Sequence, residues 1–197
     1  MNADSTPVRV WDLPTRIFHW SLATSFVVAF VTSDSENLRD IHVLAGYGMA
    51  GLIAFRILWG FVGGGHSRFA DFLPTPTKVI EYLKSLLAGK PQHYLGHNPA
   101  GAVAIFLLLG FGITAAASGY ATYSEFGGDF MEELHEAAAN GMMAMVVIHL
   151  AGVIVSSWLH GENLVRAMIT GWKNATPDQA SVQANVGSID VRRSGRN

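Results

Sequence analysis

The chain has 197 residues, of which 50% are hydrophobic and only 14% are charged, and its formal net charge is −2. Soluble domains average about 25% charged residues, so the deficit favours a membrane protein with lipid around it and no nucleic-acid partner. The sequence contains no cysteine, which excludes disulfides, thiolate-bound iron–sulfur clusters and covalently attached c-type haem. Any metal must therefore bind to the eight histidines, to carboxylates or to methionines.

Four apolar runs predict membrane-spanning helices, at residues 17–32, 41–62, 100–120 and 134–159. Between the second and third runs, residues 77–89 place apolar side chains at helical spacing among lysines and a glutamate. This segment is too short to span and is typical of a helix that lies in the membrane interface. The predicted fold is all-α: an integral membrane four-helix bundle with a short interfacial helix in the cytoplasmic loop.

The sequence predicts two regions. Residues 1–173 form the membrane domain, and residues 174–197 form a polar cytoplasmic tail that we expect to be disordered.

The loop charges predict the orientation. Segments 33–40 and 121–136 hold eight acidic residues and a single basic one, Arg39, whereas the rest of the chain holds twelve lysines and arginines against seven carboxylates. By the positive-inside rule, both termini and the 63–98 loop face the cytoplasm across a bacterial inner membrane.

Four histidines fall into two layers under this topology. His135 and His149 are fourteen residues apart, so on a helix they lie within about 40° of the same face and about 21 Å apart along the axis. The topology places His42 at the depth of His135 near the outer surface, and His19 at the depth of His149 near the inner one. Bis-imidazole pairs between facing helices are typical of b-type haem. Taken singly, His42 and His135 are equally well explained as helix-end residues facing headgroups, and the pairing in depth argues against that.

Three further residues are candidates for haem binding. Arg56 lies fourteen residues after His42, and Arg16 lies three residues before His19, so each could pair with a haem propionate at the inner layer. Gly46 would let a flat macrocycle approach the second helix, although small residues there also serve helix packing.

Hydrogen-bonding side chains gather where the hydrocarbon ends on the inner side, and they predict a quinone site there. For His160 a solvated helix end is an equally good explanation. The candidate residues are Arg16, His97, Ser157, His160 and Asn163.

Five stretches carry a family resemblance: VWDLPTRIFHW, IHVLAGYGMAGLIAFRILWGF, YLGHNPAG, LHEAAANGMMAMVVIHLAGV and LHGENLVRAMITG. Together they resemble the bacterial cytochrome b561 family, which includes the b-type cytochrome subunits of nickel–iron hydrogenases. The resemblance implies a four-helix bundle with two haems b, whose ligands by position are His19, His42, His135 and His149. It also implies electron transfer between the quinone pool and an oxidant or protein outside the inner membrane.

The resulting hypothesis is a dihaem conduit between membrane quinone and a periplasmic redox partner, with a quinol-oxidising activity left open. Two axial ligands per iron leave no position for substrate, which favours electron transfer over oxygen chemistry. The acidic outer loops indicate a basic partner such as a c-type cytochrome. The alternatives are a haem-bearing membrane anchor subunit of a larger dehydrogenase or hydrogenase, and a superoxide:quinone oxidoreductase, which the acidic loops disfavour. Metal transport is a more distant alternative.

Overall fold

The computed structural model describes residues 6–89 and 92–175. Over these residues it contains seven α helices and two short β strands, with 3₁₀ turns at Glu36–Leu38 and Gly65–Ser67. The helices are α1 (Leu13–Thr32), α2 (Arg39–Val62), α3 (Phe69–Phe72), α4 (Pro76–Leu87), α5 (Pro99–Tyr123), α6 (Gly128–His160) and α7 (Leu164–Thr170). The strands are β1 (Thr6–Arg9) and β2 (Trp172–Ala175).

The four long helices pack in chain order, α1 against α2, α2 against α5, and α5 against α6. Short connections join α1 to α2 and α5 to α6, and we call the end that holds residues 33–38 and 124–127 the loop end. The opposite end holds both strands, α3, α4 and α7, and we call it the sheet end. Every long helix therefore runs between these two ends.

Three of the long segments are long and apolar enough to cross a membrane: Glu36–Val62, Pro99–Tyr123 and Gly128–His160. Large apolar side chains on them point away from the rest of the chain, and Leu44, Leu58 and Ile154 are each about 70% exposed. Such a surface is stable in lipid and unfavourable in water. The prediction of an all-α membrane protein is confirmed at this level, and the helix bounds lie within four residues of those expected except at the start of α6, which begins six residues earlier.

Side-chain caps set where α1 and α5 begin. Asp12 accepts a hydrogen bond from the Thr15 backbone N–H at 2.8 Å, and Asn98 accepts one from Gly101 at 2.7 Å. Both helices carry a proline in the first turn, where its missing N–H has no partner to lose. The α6 helix ends at Gly161, whose φ of 62° suits a glycine.

The small sheet was not predicted, and it corrects the expectation of a purely helical chain. Antiparallel β1 and β2 pair Thr6 with Ala175 and Arg9 with Trp172. Val10 and Trp11 pack beside them on Ala167 of α7. The sheet thus joins the two ends of the described chain, and β2 extends two residues past the predicted boundary at 173. The remainder of the predicted tail, residues 176–197, lies outside the described residues.

The predicted short helix is present as α4, capped by Thr75. Tyr82 points inward and is only 2% exposed, while Ile80, Leu83 and Leu87 point outward. The helix therefore has an outward apolar face that nothing in the described chain covers.

Candidate functional site

His42 and His135 form a pair at the loop end, where α2 begins beside α6. Their ring centroids are 6.0 Å apart, and the ring planes are nearly perpendicular at 84°. Each ring is fixed by its Nδ1, which lies 2.8 Å from a backbone carbonyl oxygen, that of Ala29 for His42 and that of Ala115 for His135. A carbonyl only accepts, so in the neutral form of each ring Nδ1 carries the proton and Nε2 keeps its lone pair.

This geometry fits a metal held between two imidazoles. Metal–imidazole bonds are about 2 Å long, so two rings on opposite sides of one ion have centroids roughly 6 Å apart. The Nδ1 bonds to carbonyls also match the second layer of hydrogen bonds that orients ligating histidines. Among the residues described, no group of three or more histidines and carboxylates could hold a metal, so the candidate site is a two-ligand one.

Gly119 on α5 makes room for the His135 ring. A Cβ atom added at Gly119 would lie 2.8 Å from Cε1 and 2.9 Å from Nδ1 of that ring. Both distances are shorter than real Cβ contacts, so any larger residue would push the imidazole off the Ala115 carbonyl. We did not predict this glycine from the sequence. The one sequence feature that points to it is its position four residues after Ala115, on the same face of α5.

The second predicted pair lies at the sheet end. His19 on α1 and His149 on α6 are close enough to interact electrostatically. The Nδ1 of His19 is buried and finds no hydrogen-bond partner among residues 6–89 and 92–175. In the loop-end pair each ring is bonded to a backbone carbonyl. Among the described residues, no such bond is found for His19 or His149.

His97 adds a third imidazole at this end. It lies between the rings of Trp11 and Phe72, with centroid distances of 4.6 and 4.3 Å. Burial, followed by the positive charge of Arg56, lowers the pKa of His97 to about 3, so the ring is neutral at physiological pH. The sequence predicted His97 to be part of the quinone site, and the structure shows that its Nδ1 is buried without a hydrogen-bond partner in the described part of the chain.

Arg56 and Arg16 both reach the sheet end, as predicted from their spacing. Arg56 is 3% exposed, with its guanidinium 4.7 Å from the centroid of the Phe69 ring. Its Nη1 and the Nε of Arg16 are buried and have no partner within the described ranges, while Arg16 Nη2 donates to the Ile169 carbonyl. A buried guanidinium donor without an acceptor is unfavourable, so both positions suit an anionic group such as a propionate.

A nonpolar cluster separates the two layers. Phe26, Met49 and Met142 pack together in the middle of the long helices. They lie seven residues after His19, His42 and His135 respectively, and Met142 is also seven residues before His149. The histidine pairs are therefore held about two helical turns above and below a common core layer.

The residues predicted to bind quinone have different contacts in the structure. The side chains of Ser157 and Asn163 accept hydrogen bonds from the backbone N–H groups of Leu164 and Arg166, so both help to cap α7. His160 instead packs against His93, with ring centroids 5.1 Å apart. All the predicted residues lie at the sheet end. Gly46 is open, because a Cβ added there would meet nothing within 4 Å.

Asp12 was also missed, and it organises the sheet end. Its Oδ2 accepts from Trp59 Nε1 at 2.9 Å and from Ser67 Oγ at 2.7 Å. Burial raises the pKa of Asp12, but hydrogen bonds from Thr15, Ser67 and Trp59 outweigh it and the net shift is downward. The carboxylate therefore stays ionised and ties the start of α1 to the end of α2, next to Arg56.

Comparison with known proteins gives a consistent result. The sequence model of the prokaryotic cytochrome b561 family matches residues 10–171. Among the similar proteins are three named "Probable Ni/Fe-hydrogenase B-type cytochrome subunit" or, in Escherichia coli, "Probable Ni/Fe-hydrogenase 1 B-type cytochrome subunit". The protein of Bradyrhizobium diazoefficiens is 29% identical, in an alignment that covers 83% of this chain and 85% of that protein. The protein of Azotobacter vinelandii is 27% identical, with 88% of this chain and 91% of that protein covered. The protein of Escherichia coli is 25% identical, with 84% and 90% covered. No solved structure matches the chain.

Proposed function

The chain belongs to the prokaryotic cytochrome b561 family, and we propose that it carries two haems b and passes electrons between membrane quinone and a larger redox enzyme. As a family member it is a membrane b-type cytochrome. The proposal for two haems rests on one observation above all, the 6.0 Å pairing of His42 and His135 with both Nδ1 atoms bound to carbonyls.

We assign the ligands by layer. His42 and His135 would hold the loop-end haem, and His19 and His149 the sheet-end haem. Haem iron supplies one-electron chemistry, changing between ferric and ferrous states. Arg56 and Arg16 would hold propionates at the sheet end through their buried N–H groups, and the open surface at Gly46 gives the macrocycle of the loop-end layer access to α2.

We also propose that α1 is a fourth membrane span, which completes a four-helix bundle. Its 20 residues extend about 30 Å, the thickness of the hydrocarbon core. With both termini on the cytoplasmic side of the inner membrane, the sheet end is cytoplasmic and the loop end periplasmic. The outward face of α4, with Ile80, Leu83 and Leu87, would then lie in the inner interface.

Reporter fusions test this orientation. A reporter fused after Asn197 should behave as cytoplasmic and one inserted at Gly127 as periplasmic, because the arginines and lysines gather at the sheet end. Paired alkaline phosphatase and green fluorescent protein fusions at each site give the measurement. The reverse pattern would contradict the assignment of the loop end to the periplasm.

Two alternative partners are candidates for binding at the loop end. The names of the similar proteins support a larger redox enzyme, a hydrogenase, for which this chain would also serve as membrane anchor. The eight carboxylates of segments 33–40 and 121–136 support a basic surface on that partner. The same charges would suit a soluble basic c-type cytochrome, and they would repel superoxide, so the superoxide:quinone alternative is disfavoured.

Electron transfer from quinol through the loop end is the test of this function. Quinol should reduce the purified haem protein, and reoxidation by a basic c-type cytochrome should slow steeply as salt rises, because the screening length falls from about 30 Å at 0.01 M to about 8 Å at 0.15 M. Stopped-flow absorbance of the haem gives both rates.

A triple variant isolates the loop charges. Converting the exposed Glu132, Glu133 and Glu136 to glutamine should weaken the salt dependence and leave the haem spectra unchanged. The matched control converts Asp71 and Glu81, exposed carboxylates of the sheet end, to their amides. Lack of reduction by quinol would contradict the conduit. Reduction without any effect of salt would favour a permanent nonpolar interface with the larger enzyme.

A further inference from the structure

A separate group of titratable side chains lies where α6 ends at the sheet end. His93 Nε2 is 2.8 Å from Glu162 Oε1, and the other carboxylate oxygen, Oε2, is 3.2 Å from Lys173 Nζ. The ring of His160 packs on that of His93 with centroids 5.1 Å apart and planes at 64°. Four chemically active side chains therefore meet in one cluster, and they come from the end of α6, the 161–163 connection, β2 and the 92–98 loop.

His160 is placed so that it can take a second proton. Its Nδ1 lies 2.9 Å from the carbonyl oxygen of Ser156, and its Nε2 lies 3.4 Å from that of Gln92. Both neighbours are acceptors only, so a neutral ring can donate to one of them and a protonated ring to both. His160 is also the last residue of α6, at the end of the helix where backbone carbonyl groups have no partner within the helix.

Glu162 and Lys173 hold the neighbouring ring in place. Burial raises the pKa of Glu162, but the hydrogen bond with His93 and the charge of Lys173 outweigh it, so the net pKa is lowered and the carboxylate is ionised at neutral pH. Lys173 donates to Glu162 and to the carbonyls of Tyr94 and Leu95 at 3.1 and 3.2 Å. With three donors and three acceptors, the ammonium is saturated and serves to fix the 92–95 segment beside Glu162.

The remaining groups that pack here do not compete for protons at neutral pH. Tyr82 of α4 packs edge-on against Tyr94 at 5.8 Å. Burial is the largest of the effects that raise the pKa of Tyr82, so its hydroxyl stays protonated. Within residues 6–89 and 92–175, the titratable and charged groups near the two imidazoles include Glu162, Lys173, Tyr94 and Tyr82.

We propose that His160 and His93, the latter oriented by Glu162, carry the protons that quinone exchanges with the cytoplasm. This rests on the proposed function, in which quinone binds at the sheet end beside His160. When quinol is oxidised, each O–H bond breaks: the proton would go to His160 Nε2, and one electron would go to the haem that His19 and His149 would hold. From His160 the proton would pass through water to His93 and to the cytoplasm. Two electrons and two protons leave per quinol, and the reverse order applies when quinone is reduced.

Proton release and electron transfer are measured together to test the relay. Replacing His160 with leucine should slow haem reduction by quinol about 10²-fold, the usual contribution of a positioned acid–base group. Glu162→Gln keeps the shape and removes the charge, so it should slow the same step roughly tenfold. Proton release, followed with a pH-indicator dye, should slow in step with haem reduction in both variants.

The controls separate this role from a structural one. Dithionite supplies electrons without quinol, so it should reduce all variants at the native rate, and haem content should stay unchanged. Asp71→Asn alters the other His–carboxylate pair of this end, His66 with Asp71 at 2.7 Å, and should leave proton release native. If Glu162→Gln fails to fold, His93→Asn takes its place. Native rates and proton release in the variants would overturn the relay, whereas a native protein that quinol cannot reduce would overturn the proposed function instead.

Discussion

Replacing His135 with alanine is expected to remove the loop-end haem and leave the sheet-end one. The variant takes away one of two imidazoles whose centroids lie 6.0 Å apart, and His42 alone cannot give six-coordinate iron. His149→Ala should have the opposite selectivity, because its layer lies beyond the Phe26, Met49 and Met142 cluster. The pyridine haemochrome content should fall from two haems per chain to one in each variant, and low-temperature spectra should show which haem remains.

The matched control for the haem-loss experiment is His66→Ala. His66 bonds to Asp71 in the sheet-end loop and belongs to neither pair, so both haems should be retained. Equal loss of both haems in the His135 and His149 variants would contradict the assignment by layers, or show that haem binding is coupled to folding of the whole bundle. A native protein with a single haem would contradict the two-layer proposal directly.

Gly119→Ala is expected to weaken the loop-end haem without altering any proposed ligand. The new methyl group would come within 2.9 Å of His135 Nδ1, so the ring must turn away from the Ala115 carbonyl, to which it is bonded at 2.8 Å. Loss of such an orienting hydrogen bond typically lowers metal affinity about 10- to 100-fold. Haem titration of the apoprotein should therefore show a weakened loop-end site and a native sheet-end site.

Gly110→Ala is the control for helix propensity. Alanine favours helix over glycine by about 1 kcal/mol at either position, but a Cβ at Gly110 meets nothing within 4 Å. Gly110→Ala should therefore bind both haems normally and unfold at an equal or higher temperature than the native protein. Normal haem affinity in Gly119→Ala would mean that the His135 ring does not need its Ala115 contact.

The positions of the histidines along their helices can be predicted from the sequence, but the orientation of their rings cannot. The intervals that relate His42 to Arg56 and His135 to His149 are periods along single helices, so the sequence predicts them directly. The carbonyls of Ala29 and Ala115 that fix the rings come from other helices, and a backbone carbonyl has no residue type to reveal it. Gly119 could not be predicted for the same reason, because its role depends on which helix packs against it.

The sheet end shows the same limit more strongly. The sequence predicted that Arg16, His97, Ser157, His160 and Asn163 lie at one membrane boundary. The structure brings all five to the sheet end, where they have different contacts. Ser157 and Asn163 were predicted to bind quinone from their chemistry, yet they accept hydrogen bonds from backbone N–H groups at the start of α7. Small polar side chains next to a helix start serve caps as readily as ligands, and the sequence does not distinguish the two.

The sequence by itself determined the apolar segments, their approximate bounds and the charge difference between the two ends. These properties are local, because a helix in lipid satisfies its own backbone within four residues and needs only a run of apolar side chains. Only the tertiary structure decided the β1–β2 pairing, the contact of His93 with Glu162 and the burial of His97. His93 and Glu162 are 69 residues apart in the chain and meet only because the long helices bring their ends together. A pattern of local spacing in the sequence does not show such a contact.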